Sequence, residues 1–350
     1  MKALLLVLLL VPAARAERPI NPPAADFPPA AAWINATALS LARMRERKAV
    51  VVAFINPTSI NSVRTLPALR EWFDRYALSQ LMIVGVITPD LEFHRDPVWT
   101  KTILKRYGVD FPVILDPDRR VWKGYANDGW PALYLVDRKG RVVFDRLGEG
   151  GYVEFEKELR SAIGELIGPD ALPAAVDRPD PKTRDCGGAT HEIALGARRG
   201  GKPPLNLDGD LSLRRMLIVD SRDAEIAMHG RWETAPDGYK LAQKNSTQSA
   251  FLRVVFHAAQ SLAVMSPAEE GKTRVFVKQD DLWLHEGNAG KDIQFDDDGR
   301  SFVQLDMPRL YDLTRDPSAS PHELYLIPDR KGAGIYGFSF SDKCLVTALP

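Results

Sequence analysis

Apolar residues run without interruption over 49–55, from Ala49 through Val50, Val51 and Val52 to Ile55, with no polar residue between them. An unbroken, Val-rich run of this length predicts a strand buried on both faces. Over 64–76 the period changes: Leu66, Leu69, Trp72, Phe73 and Tyr76 recur at helical spacing, with Pro67 as a kink inside the helix. A second buried strand is predicted at 81–87, a helix over 98–107 that stops at Gly108, and a short strand at 112–115. Strands at 132–136 and 142–144 flank Asp137-Arg138-Lys139-Gly140, a hairpin turn, and a helix over 153–167 closes the unit. A helix is also expected over 37–47. Strands and helices that alternate and end in a hairpin and a helix predict a mixed sheet covered on both faces.

Beyond residue 188 the helical period disappears. Short alternating stretches recur at 224–232, 249–258, 261–265, 273–277, 301–305, 322–327 and 335–340, separated by turn clusters such as Asp296-Asp297-Asp298-Gly299. Many short strands with no helices between them predict a β-sandwich. The chain then divides into a signal peptide (1–16), a Pro- and Ala-rich leader (17–31), an α/β domain (32–168), a Pro- and Asp-rich linker (169–187) and an all-β domain (188–350). Two domains also suit 350 residues, too many for one ordinary core.

The balance of 46 basic and 46 acidic residues gives no sign of a nucleic-acid surface or a polybasic membrane patch. Lys2, the apolar stretch 3–11 and Ala14-Arg15-Ala16 follow the plan of a cleavable export signal, and nine apolar residues are too few to span a bilayer. The protein is therefore expected to be periplasmic or secreted and not membrane-spanning after cleavage. It has two cysteines, Cys186 and Cys344. In an exported chain they either pair, bracketing the second domain and adding up to ~5 kcal/mol on the chain-entropy model, or remain two buried thiols.

Several separated motifs of the first domain resemble the thioredoxin superfamily, more narrowly the soluble periplasmic part of DipZ-type thiol–disulfide proteins. They are Phe54-Ile55-Asn56, Ser59-Ile60-Asn61-Ser62, Arg64-Thr65-Leu66-Pro67, Thr88-Pro89-Asp90, Asp96-Pro97, Trp130-Pro131-Ala132 and Gly148-Glu149-Gly150-Gly151-Tyr152. The resemblance covers about residues 32–165. It implies a thioredoxin-like fold, a cis-proline at Pro131, and a redox pair at positions 59 and 62. Those two positions are Ser, and Ile55 stands where the family has Trp. A helix N-terminus lowers a cysteine's pKa, but a serine hydroxyl stays protonated and forms no disulfide.

In the second domain, Gly230-Arg231-Trp232, Ala289-Gly290-Lys291-Asp292, Arg309-Leu310-Tyr311-Asp312-Leu313 and Tyr336-Gly337-Phe338-Ser339-Phe340 resemble the β-sandwich that follows thioredoxin in the same proteins. That resemblance implies a jelly-roll, carbohydrate-binding-module-like domain, and a glycan ligand by analogy of fold alone.

Three functions follow as expectations. The first is an exported binding or scaffold protein without dithiol exchange, holding a peptide in a groove between Ser59, Asn61, Ser62, Trp130 and Pro131. The second is an oxidoreductase with a residual role through Cys186 and Cys344. The third is a glycan- or cell-wall-binding protein whose sandwich presents Trp232, Trp283, Arg309 and Tyr311, although these read more readily as ordinary core packing because Tyr311 and Trp232 sit in apolar, strand-like surroundings. Serine chemistry is disfavoured because no base lies near Ser59 or Ser62 in sequence; His94 is the domain's single histidine. No metal or cofactor is expected, since the six histidines are scattered singly; Asp292 and Asp296 to Asp298 read as solvated turns more readily than as a calcium site.

Overall fold

A computed structural model of the chain describes residues 21–341 except 177, 181–188 and 209–221. The expected export signal at 1–16, Cys186 and Cys344 lie outside the described residues. No helix among the described residues is long and apolar enough to cross a membrane.

The first domain is a six-stranded mixed sheet of β1 (Trp33–Ile34), β2 (Ala49–Phe54), β3 (Leu81–Ile87), β4 (Val113–Leu115), β5 (Ala132–Val136) and β6 (Val142–Leu147). Its order is β1-β4-β3-β2-β5-β6; β2, β3 and β4 are parallel and the others antiparallel. Every residue of β2 is buried, as its unbroken apolar run predicts. Alternation along the strand sorts its side chains. Val51, Ala53 and Ile55 face one core with α2 (Ile60–Tyr76), α3 (Pro97–Arg106) and α5 (Tyr152–Ile167). Val50, Val52 and Phe54 face the other, covered by α1 (Leu41–Met44) and α4 (Arg120–Gly124).

The hairpin turn forms as expected: the Asp137 carboxylate accepts from Lys139 N and Arg141 N at 2.9 Å each, and Gly140 takes φ 75°. Helix α2 opens on the motif itself, ahead of the apolar spacing that marks its body, and α1 is shorter than the 37–47 expected. The five-residue α4 was not legible; one turn leaves no period to read.

The leader is more than a tether over its described part. Pro22 O accepts from Val142 N, Phe27 is buried, and the Asp26 carboxylate caps α1 by accepting from Leu41 N at 2.7 Å. The linker likewise returns to the first domain. Glu156 accepts from Val176 N at 2.6 Å, Arg178 pairs with Glu71, and Asp180 caps α5 at Tyr152 N.

The second domain is all-β and almost wholly antiparallel. It comprises β7 (Ile193–Ala194), β8 (Leu205–Asn206), β9 (Ile226–His229), β10 (Trp232–Ala235), β11 (Gly238–Leu241), β12 (Phe251–Ser266), β13 (Thr273–Gln279), β14 (Leu282–Trp283), β15 (Ile293–Phe295), β16 (Ser301–Leu305), β17 (Arg309–Pro328) and β18 (Gly334–Ser341). These twelve form one hydrogen-bonded network around a main core, with a smaller apolar cluster of Phe276, Phe302, Tyr325 and Ile327 on the opposite strand faces. The stretches read as 249–258 and 261–265 are a single strand, β12. Its pairing with β17 shifts register between Ala258 and Gln260 and again between Ser261 and Leu262.

Those shifts invert the strand's faces. Before them Leu252, Val254, Phe256 and Ala258 point into the second domain's core; after them Ala263 and Met265 do. Leu262 and Val264 are thereby turned outward, toward the first domain.

Candidate functional site

Strand β2 delivers the loop 55–59 to the N-terminus of α2, so the degenerate motif stands where the fold focuses its helix dipole. Ser59 is the N-cap residue, in extended conformation, yet its hydroxyl makes no capping bond. Ser62, one turn on, accepts from Asn56 N at 3.0 Å. Asn56 Oδ1 in turn accepts from Thr58 N and from the Thr58 hydroxyl at 2.8 Å. His94 continues the chain with Nε2 3.2 Å from Thr58 Oγ1, while its Nδ1 accepts from Asp90 N and Leu91 N. Two backbone donors on Nδ1 assign the proton to Nε2.

Burial and the nearby Arg199 and Arg198 push the His94 pKa down to about 3. A folded-state pKa below the unfolded value makes this group's contribution present above pH 6.5 and lost as pH falls toward 3. The His94 ring resonances should therefore stay flat in an NMR titration between pH 5 and 8; a midpoint inside that window would mean the ring is not enclosed.

The motif is covered by the second domain. Ile60, between the two serines, packs with Leu91 against Leu262, Val264, Leu310 and Tyr336. A polar ring surrounds this apolar contact. Glu92 N donates to Asp237 at 2.8 Å, Arg199 pairs with Asp90 at 2.8 Å, Trp99 Nε1 donates to Pro308 O at 2.7 Å, and Arg106 meets Asp306 at 3.2 Å. Arg64 donates to Ser341 at 2.5 Å and to Gln260 at 3.3 Å.

Glu192, just before β7, faces the Ser59 hydroxyl, and its carboxyl is pushed up to about 7, by desolvation first, with Asp90 adding to the rise and Arg199 and Ser59 opposing it. The residue is nevertheless exposed, and solvent screening softens that shift. Sequence reading missed Glu192 because it comes from the other domain, more than a hundred residues from Ser59.

The expected groove is not open. Ser59 is 5% exposed and Ser62 1%. The Trp130–Pro131 bond is cis, as the resemblance implies, and Pro131 O accepts from Gly148 N at 2.8 Å. Trp130 turns onto Trp122, ring centres 4.6 Å apart, on the α4 side of the sheet. Asn61 is half-buried, its carbonyl taken by the Thr65 hydroxyl.

The sugar platform also needs correction. Arg309 and Tyr311 are buried and stacked, 3.7 Å apart, with Arg309 held bidentately by Asp292. A charged guanidinium packed into an interface needs such carboxylates. Trp232 is half-buried and donates to His229 O at 3.0 Å, and Trp283 is half-buried beside Phe276. Asp296 is engaged by Arg300, and no cluster with metal-ligand geometry occurs among the described residues.

Fold and site together define a thioredoxin-fold domain with serines at its exchange positions, carrying an all-β domain on that face. Residues 22–144 match the AhpC/TSA family and residues 216–341 match the thioredoxin-like C-terminal domain. The chain is 32% identical over 148 residues to Protein DipZ of Mycobacterium bovis and to that of Mycobacterium tuberculosis, which covers 42% of this chain and 20% of theirs. It is 24% identical over 134 residues to the thiol-disulfide oxidoreductase YkuV of Bacillus subtilis, 38% of this chain and 89% of that one.

Among solved structures, a thioredoxin-like protein in its oxidised form aligns at 22% identity and TM-score 0.38, over 42% of this chain and 99% of that one. A putative thiol:disulfide interchange protein DsbE from Chlorobium tepidum aligns at 19% and 0.37, over 41% and 97%. The chain is thus similar to the AhpC/TSA family in its first domain and to the thioredoxin-like C-terminal domain in its second, and it spans about a fifth of the length of the DipZ proteins it matches.

Proposed function

We propose that this is an exported thioredoxin-fold protein that works by binding and has given up dithiol exchange, its motif loop serving as the joint on which the second domain is carried. One observation carries the reading: positions 59 and 62 hold hydroxyls, and Ile60 between them is the apolar plug of the interdomain contact. A loop that must open to attack a disulfide cannot also be a packed interface. Neither the peptide groove nor a platform of Arg309 and Tyr311 is then the working surface. The better candidate is an open cleft of about 880 Å³ in the second domain, where Lys240, Lys244, Arg330 and Glu269 line the wall.

That cleft keeps a glycan ligand as the second reading, because its polar groups suit hydroxyl-rich molecules better than an extended apolar peptide. Purified protein should not accelerate insulin reduction by dithiothreitol, and partners recovered from a periplasmic extract should depend on Lys240 and Arg330. Turnover that vanishes in C186A would instead establish the oxidoreductase reading. Partners lost in W130A and kept in a K240A/R330A variant would return the function to the groove.

A further inference from the structure

Arg64 joins the two domains from inside α2. Its Nη2 donates across the interface to Gln260 and Ser341, while Nη1 stands 3.9 Å from Glu149 Oε2 in its own domain. Both side chains are deeply buried, 2% and 7% exposed. The polar accounting around them does not close: among the described residues, Arg64 Nε and Nη1 and both Glu149 carboxylate oxygens have no hydrogen-bond partner. A buried, ionised carboxylate left in that condition is costly, and 3.9 Å is too long for the charge-assisted bonds that would offset it.

We propose that Arg64 and Glu149 form a proton-operated latch between the domains. While Glu149 is neutral, Arg64 holds the second domain through Gln260 and Ser341. When Glu149 ionises, it draws the guanidinium toward itself and the hold weakens.

The charged and titratable groups around the pair favour this direction. Arg64 is the cation facing Glu149; Tyr152 on α5 and Asp312 on β17 are the other groups acting on Arg64, and Arg178 of the linker acts on Tyr152. Desolvation pushes the Glu149 carboxyl up to about 7 even with Arg64 beside it. A carboxyl raised in the docked state and ordinary in the opened state contributes docking stability that is full below pH 4.5 and lost as pH rises through about 7. Linkage and geometry therefore give one sign: the domains separate more readily on the alkaline side.

The Glu92 amide reports docking, because it donates to Asp237 across the interface. In the full chain, its hydrogen exchange, corrected for the intrinsic rate, should accelerate at least fivefold between pH 5.5 and 8.5. In E149Q, which keeps a neutral side chain of the same shape, it should not. Equal acceleration in both proteins, or none in wild type, overturns the latch. Should E149Q fold poorly, the ¹³C carboxyl resonance of Glu149 in wild type decides. A midpoint within one pH unit of that for Glu92 exchange supports the proposal, and an ordinary carboxylate midpoint near 4.5 ends it.

Discussion

Restoring both thiols, in an S59C/S62C variant, is expected to leave insulin reduction within about twofold of the uncatalysed rate. The helix N-terminus would lower the pKa of a cysteine introduced at position 59, which is what makes such a position reactive in an open loop. Here two opposing influences are built in. The position is 5% exposed, and the Glu192 carboxylate faces it. Burial disfavours a thiolate, and a carboxylate beside it does so again once ionised.

The thiol introduced by Ser59→Cys should accordingly titrate above the free-cysteine value of about 8.5. Adding E192Q should increase its labelling rate at pH 7 by roughly tenfold, the factor expected for one pH unit of thiolate population. Iodoacetamide kinetics against pH would read both quantities. If S59C/S62C reduces insulin at many times the background, the cover over the loop does not block exchange at this site. Any lack of exchange in the natural chain would then rest on the two serines alone.

Much of the first domain was legible because its signals are local. The apolar run at 49–55 could only be a strand buried on both faces, and Asp137 to Gly140 could only be a tight turn. The site was half-legible for the same reason. Ser59 and Ser62 were found from the motif around them, and Pro131 from the Trp-Pro-Ala that leads into β5. What closes over them was not, since Glu192, Leu262, Leu310 and Tyr336 reach the motif only through the second domain's topology. Arg309 and Tyr311 show the same limit. An Arg and a Tyr in an apolar strand favour core packing over a sugar platform, but the partner that holds the Arg there, Asp292, is not legible in sequence.

The register shifts in β12 were invisible too, because a bulge leaves no mark in hydrophobic alternation until one knows which face is covered. They make the sharpest test of the joint. Leu262 and Val264 face the first domain, whereas Ala263 points into the second domain's own core. A Leu262→Asp substitution puts a carboxylate against Ile60 and Leu91; of the cations in the adjoining crevice, Arg106 and Arg309 are already paired with Asp306 and Asp292. An unpaired buried charge costs several kcal/mol, and undocking relieves it by returning the group to water. L262D should therefore stay folded within each domain but lose the contact.

Its thermal unfolding should split into two transitions, its radius of gyration should increase, and the Glu92 amide should lose protection at every pH. Ala263→Asp cannot escape in that way. Its charge is directed at Leu313, Tyr311 and their neighbours, so the second domain should unfold outright while the first keeps its transition. If L262D instead retains one cooperative transition and the wild-type radius of gyration, the interface is not the joint. The motif loop would then be buried for reasons internal to the first domain.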